Sequence, residues 1–132
     1  MIDLNFEEAL TAELEAITGL TDRVFPLNAT EGLEPPFIVY ISNNGEEIMD
    51  LGGFSGMYEL NAEIHVVAED YEELKSLEKQ VLDKVKSFWG RSIGDGGPLI
   101  KSITLTEPIE SHENELGYDR VIFDMRVRFN AS

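Results

Sequence analysis

The chain has 132 residues, 26 acidic against 10 basic side chains for a formal charge of −16, and no cysteine. That length suits one domain with one core, and the missing cysteine excludes a disulfide framework, a thiolate zinc site and a cysteine nucleophile. The charge argues against a duplex-binding domain, whose affinity comes largely from Lys and Arg displacing counterions from phosphates, and no apolar run approaches the roughly 20 residues that span a bilayer.

The first stretch, MIDLNFEEAL, is acidic where a signal peptide would be basic, so a soluble, non-secreted protein is expected. A helix is predicted from Asn5 to Thr18, with Phe6, Leu10, Leu14 and Ile17 on one face; Asn5 and Glu8 form its capping box, with Asp3 as an alternative cap. Gly19 and Leu20 read as its C-terminal stop. Val24, Phe25 and Pro26 suit a short edge strand, where Pro is tolerated. A polar loop from Asn28 to Glu34 follows, closed by Pro35 and Pro36.

Phe37 to Ser42 is apolar on both faces, which predicts a strand covered on both sides, either within the chain or by a neighbouring subunit. Asn43, Asn44 and Gly45 form a turn. The crossing from Glu46 to Gly56 holds Ile48, Met49, Leu51 and Phe54 among Gly52, Gly53 and Gly56, and is too irregular to be a strand throughout. Two readings stand side by side: a hairpin whose apolar residues tuck under their own sheet, and a loop that binds a partner.

Tyr58, Leu60, Ala62, Ile64 and Val66 then alternate with Glu59, Asn61, Glu63 and His65, the period of a half-buried strand. From Asp70 the period changes to a helical stripe of Tyr71, Leu74, Leu77, Val81, Val85 and Phe88, capped by Asp70 with Glu73 and ended by Gly90. This strand and helix, from Met57 to Trp89, form the pair against which the rest packs. Gly94 to Gly97 lies in a flexible connector, Leu99 to Glu107 is a strand, and Pro108 to Gly117 is a second long acidic loop. In the last strand Val121, Phe123, Met125, Val127 and Phe129 share one face, and Arg126 and Arg128 lie on the other, to pair with Glu59, Glu63 or an acidic surface of another subunit. The fold class is α+β, a mostly antiparallel four- to five-stranded sheet with two helices packed on one face.

Chemistry is not legible in these residues. His65 and His112 have no His-rich metal spacing around them. Gly53-Phe54-Ser55-Gly56 fails as a nucleophile elbow because Met57 stands where a glycine is required. Gly94-Asp95-Gly96-Gly97 lacks the Lys-Ser/Thr of a phosphate loop and precedes a strand. No catalytic residue, metal or cofactor is expected, and the protein is not expected to be an enzyme.

Taken in order, the helix ending in ITGL, the run TDRVFPLNA, the Pro-Pro lead-in PPFIVYIS, the unit EIHVVAEDYEELKSLEKQVLDKV and the closing ESHENELGYDRVIFDMRVRF resemble the tail completion, or tail terminator, proteins of long-tailed bacteriophages. The resemblance covers nearly the whole chain and rests on order and spacing. It implies a structural virion protein, made in the host cytoplasm and placed at the tail-head interface. Such a subunit joins copies of itself in a ring, typically a hexamer, on the head-proximal end of the tail tube, ends tube polymerisation and docks to the head connector or stopper protein. DNA passes through the lumen without specific binding, and no membrane is involved. On that reading Ile48, Met49, Leu51, Phe54, Arg126 and Arg128 are candidates for the partner or oligomer interface. Glu46, Glu47, Asp50, Glu110, Glu113 and Glu115 are candidates for an acidic rim or lumen. Six times −16 gives a ring of formal charge −96, which would repel the DNA backbone and make assembly depend on salt. The competing reading is an acidic, non-enzymatic adaptor domain that binds a basic protein.

Overall fold

One 16-residue strand, Gly53–Ala68, runs the length of the molecule and pairs with three others. The computed structural model describes residues 2–27, 29, 32–43, 46–113 and 117–130; for residues 2–5, 50, 54 and 55 the description is of backbone only. The elements in chain order are α1 (Ile2–Glu15), β1 (Val24–Pro26), β2 (Phe37–Ser42), β3 (Glu46–Asp50), β4 (Gly53–Ala68), α2 (Tyr71–Lys86), β5 (Leu99–Leu105), β6 (Ile109–Glu113) and β7 (Tyr118–Asn130). The class is α+β, as the sequence predicts. The sheet has seven strands in the order β1-β2-β4-β7-β5, with β3 added to β4 and β6 to β7; β1 and β2 are parallel and the other pairings antiparallel.

The two strands beyond the expected four or five come from segments whose composition reads as loop. Glu46 to Gly56 is a hairpin of β3 with the start of β4, bulged between Ile48 and Met49, so β4 begins at Gly53 rather than at Met57. Pro108 to Gly117 contains β6, which pairs Ile109 with Ile122 through Glu113 with Tyr118. Glycines in the first and acids in the second lower strand propensity, and cross-strand pairing overrides it. β2 and β3 lie end to end along one edge of β4, and β5 and β6 lie end to end along one edge of β7.

Alternation decides what the sheet buries. Leu60, Ala62, Ile64 and Val66 of β4 stand opposite Val127, Met125, Phe123 and Val121 of β7, all buried. In β5 the register steps from Ile100 opposite Phe129 to Ser102 opposite Arg128. The unmatched Lys101 puts Ile100 and Ile103, an odd number of residues apart, on the same buried face. Both helices cover that face. Leu74, Leu77, Val81 and Val85 of α2 and Phe6, Leu10 and Leu14 of α1 complete one core, with Phe6 stacked on Phe129 at 5.2 Å and Tyr58 on the same ring at 6.0 Å.

Helix ends are as the sequence predicts in one case and shifted in the other. Asp70 accepts the Glu73 N–H at 2.8 Å and caps α2, while the Glu73 carboxylate accepts the Glu69 N–H at 2.9 Å. α1 instead starts at Ile2, which places Asn5 inside the helix, and its regular turns stop at Glu15 rather than Thr18. Gly19 ends the segment at φ +89° with Leu20 buried behind it. Tyr71, expected in the buried stripe of α2, is 55% exposed at the helix start. The connector after α2 is fastened to α1: Arg91 donates to both Glu13 carboxylate oxygens at 2.9 and 2.8 Å, and the Gly94 N–H adds a third bond at 2.8 Å. A Cβ at Gly94 would lie 2.9 Å from Ala9 Cα, so the approach needs glycine there.

Of the two readings of β2, cover on both sides within the chain is not what is found: Ile38 and Tyr40 face the core, but Phe37 and Val39 are half-buried and Ile41 is 42% exposed, which leaves open cover by a neighbouring subunit. The turn at Asn44 and Gly45 lies outside the described residues.

Candidate assembly surfaces

Three surfaces follow from this topology. The first is the β3–β4 hairpin. Among the described residues β7 accompanies β4 as far as Met57 opposite Asn130, and beyond that point Gly53 and Phe54 pair with Asp50 and Met49 of β3. At about 3.3 Å per residue, the arm projects on the order of 13 Å beyond the β4–β7 pairing. Two of its apolar residues do not tuck under the sheet, Met49 at 63% exposed and Leu51 fully so, while Ile48 is half-buried opposite Met57. Glu46 and Glu47 are exposed at its root, where the Tyr58 hydroxyl donates to Glu47 at 3.0 Å. The side chains of Asp50 and Phe54, expected in the same surface, lie outside what is described.

The second surface is the sheet face that carries no helix. At its end nearest the arm, Glu46 stands opposite Glu59, a like-charge pair that is unfavourable by itself. Arg128 Nε donates to Glu59 at 2.8 Å and Arg126 Nε lies 3.8 Å from the same carboxylate, so one anion serves two cations. Arg126 donates to the neutral Asn61 Oδ1 at 3.2 Å, and its side chain is 62% exposed. The pairing expected for these arginines is found at Glu59; Glu63 instead meets His65. Beside Arg126 the face holds a cavity of about 620 Å³, lined by Ile41, Asn61, Glu63, Thr104, Thr106 and Asp124 among others. These residues come from β2, β4, β7, and the β5 end, so only the strand order brings them together. Farther along, Arg120 links Glu113 at 2.8 Å to His65 Nδ1 at 2.9 Å. A guanidinium only donates, so Nδ1 accepts, the ring proton sits on Nε2, and it points to Glu63 Oε1 at 2.5 Å.

The third surface is the β6–β7 hairpin at the opposite end. Glu110 sits on its helix side and takes Lys75 of α2 at 2.5 Å and the Tyr71 hydroxyl at 3.4 Å. The Lys75 ammonium holds the Glu110 carboxyl below its ordinary value, while burial and the neighbouring Glu110 push Glu78 up. His112 bonds Asp119 at 2.6 Å. Glu110 and Glu113 therefore spend their charge on cations of their own chain. Glu115 lies outside the described residues.

Among the described residues no group of three or more His, Cys, Asp or Glu is arranged to hold a metal, and no helix is long and apolar enough to cross a membrane. No protein-family model and no curated protein matches the sequence. Solved structures do match the fold. A chain from the virion of a native gene transfer agent particle is similar at a TM-score of 0.69 and 13% identity, over 97% of this chain and 96% of that one. A second solved chain is similar at a TM-score of 0.58 and 16% identity, over 99% of this chain and 94% of the other. At such identities the likeness is one of fold, and function rests on the surfaces themselves.

Proposed function

We propose that the chain is a structural virion subunit of the tail-completion kind. It assembles as a ring, six copies in the simplest case, on the head-proximal end of a tail tube, ends tube growth and offers its other side to the head connector. The observation that carries this reading is the projecting arm with Met49 and Leu51 in solvent, an apolar surface with no cover in the isolated chain. The near full-length fold likeness to a chain of a virion particle supports it. The charge of −16 per chain suits a channel through which DNA slides, with Glu46 and Glu47 as rim residues.

Native mass measurement across salt concentrations, with and without tail-tube protein, tests it. A six-subunit species, alone or on the tube, is the expected result, and Met49→Ser with Leu51→Ser removes it. A strict monomer at every salt concentration that ignores tail tubes and binds cationic proteins instead would replace this reading with that of an acidic adaptor.

A further inference from the structure

At the end where the arm projects, the two lateral edges of the sheet carry opposite charge. Cross-strand rows run from β3 through β4 and β7 to β5, so that Glu46 shares one row with Ser102 and Ile48 another with Leu99. Beyond β3 no further strand follows among the described residues, and the segment from residue 46 to 56 holds three acids and no Lys or Arg. Beyond β5 lies the connector. The Gly90 N–H donates to the Ile100 carbonyl at 2.8 Å and the Ile100 N–H to that of Arg91 at 3.0 Å, which places Trp89 next to Lys101, the unmatched residue of β5.

That second edge is basic in a protein of charge −16. From residue 84 to 101 the chain has Lys84, Lys86, Arg91 and Lys101 against Asp95 alone. Glu13 cancels Arg91 and lies in the field of Lys84, while Asp83, one turn before Lys86, already takes Lys79 at 3.0 Å. Among the described residues Lys86 and Lys101 make no ion pair. The C-terminal end of α2 explains Lys86 by itself, but it accounts for neither Lys101 nor Trp89, which is 60% exposed. An indole left in water beside unpaired cations is suited to anchor a contact with an acidic, apolar partner.

We propose that the occupant of this edge is the arm of a second copy: Met49 and Leu51 of one subunit cover Trp89 of the next, with Glu46 facing Lys101. Glu47 keeps its bond to the Tyr58 hydroxyl. Copies set side by side with their rows in line bring these groups to the same level, whereas within one chain β4 and β7 separate the two edges. Because the two edges differ, the contact is head-to-tail and closes a ring or runs on as a filament. The pairing of an acidic arm with a basic edge offsets part of the repulsion between subunits of charge −16. The inference rests on the ring reading given above and assigns its subunit contact.

The cysteine-free chain makes a clean test. Met49→Cys is placed on the arm of one full-length variant and Ser92→Cys, exposed and bridged to Leu99, in the connector of another. Each variant alone and an equal mixture are oxidised with and without tail tubes, then separated under non-reducing denaturing conditions; circular dichroism establishes that each is folded. A covalent dimer in the mixture, absent from either variant alone, is the expected result. Trp89, the only tryptophan, should emit farther to the blue in that dimer than in the monomer. Adding Lys86→Glu and Lys101→Glu to the connector variant should lower the dimer yield about tenfold at low salt and by less at high salt. Glu46→Lys in the arm variant should then restore part of it.

Dimers from Met49→Cys alone would mean arm-to-arm contact and overturn the proposal. So would a folded mixture that stays monomeric in every condition, or a dimer in which Trp89 emits as in the monomer. A six-subunit species in native mass spectra from a mixture that yields no dimer would refute this contact and leave the ring reading standing. A dimer from a protein that ignores tail tubes would do the reverse.

Discussion

The two hairpins of this sheet are built alike and behave oppositely. Each joins a short strand to one end of a long one, β3 to β4 and β6 to β7, and they lie at opposite ends of the β4–β7 pair. Behind the second, β4 continues as far as Ala68 opposite Asp119, and α2 reaches over to hold Glu110 with Lys75 and Tyr71. Behind the first there is nothing past Met57 among the described residues, and its tip presents Met49 and Leu51 to water. What separates the fastened hairpin from the projecting one is thus not strand propensity but whether a third strand and a helix back it. The acidic hairpin, which composition marks as a rim, is fastened to the domain, while the glycine-rich one leaves Met49 and Leu51 exposed.

The largest effect comes from removing the joint at the arm's root. Phe129→Ala takes away the ring between Phe6 and Tyr58 and should cost about 3–5 kcal/mol, read by urea denaturation. Both hairpins should melt together, since β7 carries one and roots the other.

A smaller loss is expected at the Glu13 clamp, which ties the helical layer over both. The Arg91 bonds hold the Glu13 carboxyl below its ordinary value of 4.5, against the opposing effect of burial. A depressed acid contributes stability that is present above its unfolded value and is lost as pH falls through the folded one. Arg91→Ala should therefore cost about 1–2 kcal/mol at neutral pH, discounted for partial exposure, and the deficit should shrink below about pH 4 in acid titrations of stability.

Smaller again is the effect of unfastening the second hairpin. Lys75→Ala should leave the global melting temperature within about 2 °C while amide exchange across Ile109–Glu113 quickens severalfold. The smallest is the one that sharpens the contrast most. Met49→Ser with Leu51→Ser should change stability by less than about 0.5 kcal/mol, because these side chains bury little in the isolated chain, while abolishing assembly.

Much of the fold was legible because its signals are periodic. Val121 to Phe129 and Leu60 to Val66 alternate without interruption, and Leu74 to Val85 keep one helical stripe. The stretches that misled are those where pairing partners, not composition, decide the state: Ile109–Glu113 is polar and reads as loop, yet β7 supplies a template for it. The arm's apolar residues were visible as an anomaly, but their projection depends on where β7 stops. The cavity residues Thr104, Thr106 and Asp124 gave no warning, since they become neighbours of Ile41 only through the strand order. Thr104 and Thr106, alternating about the core-facing Leu105 on a predicted strand, are the one hint they leave.

The arm is the continuation of β4, and β4 runs antiparallel to β7 through every pair from Met57 to Ala68. A pull on the tip along the strand axis therefore loads those ladder hydrogen bonds in shear, all at once, instead of peeling them apart one after another. Resistance to such a pull is a matter of unfolding rate rather than of equilibrium stability. A subunit gripped by its arm would transmit tension straight into the longest ladder it possesses, leaving the helices on the far face out of the line of force.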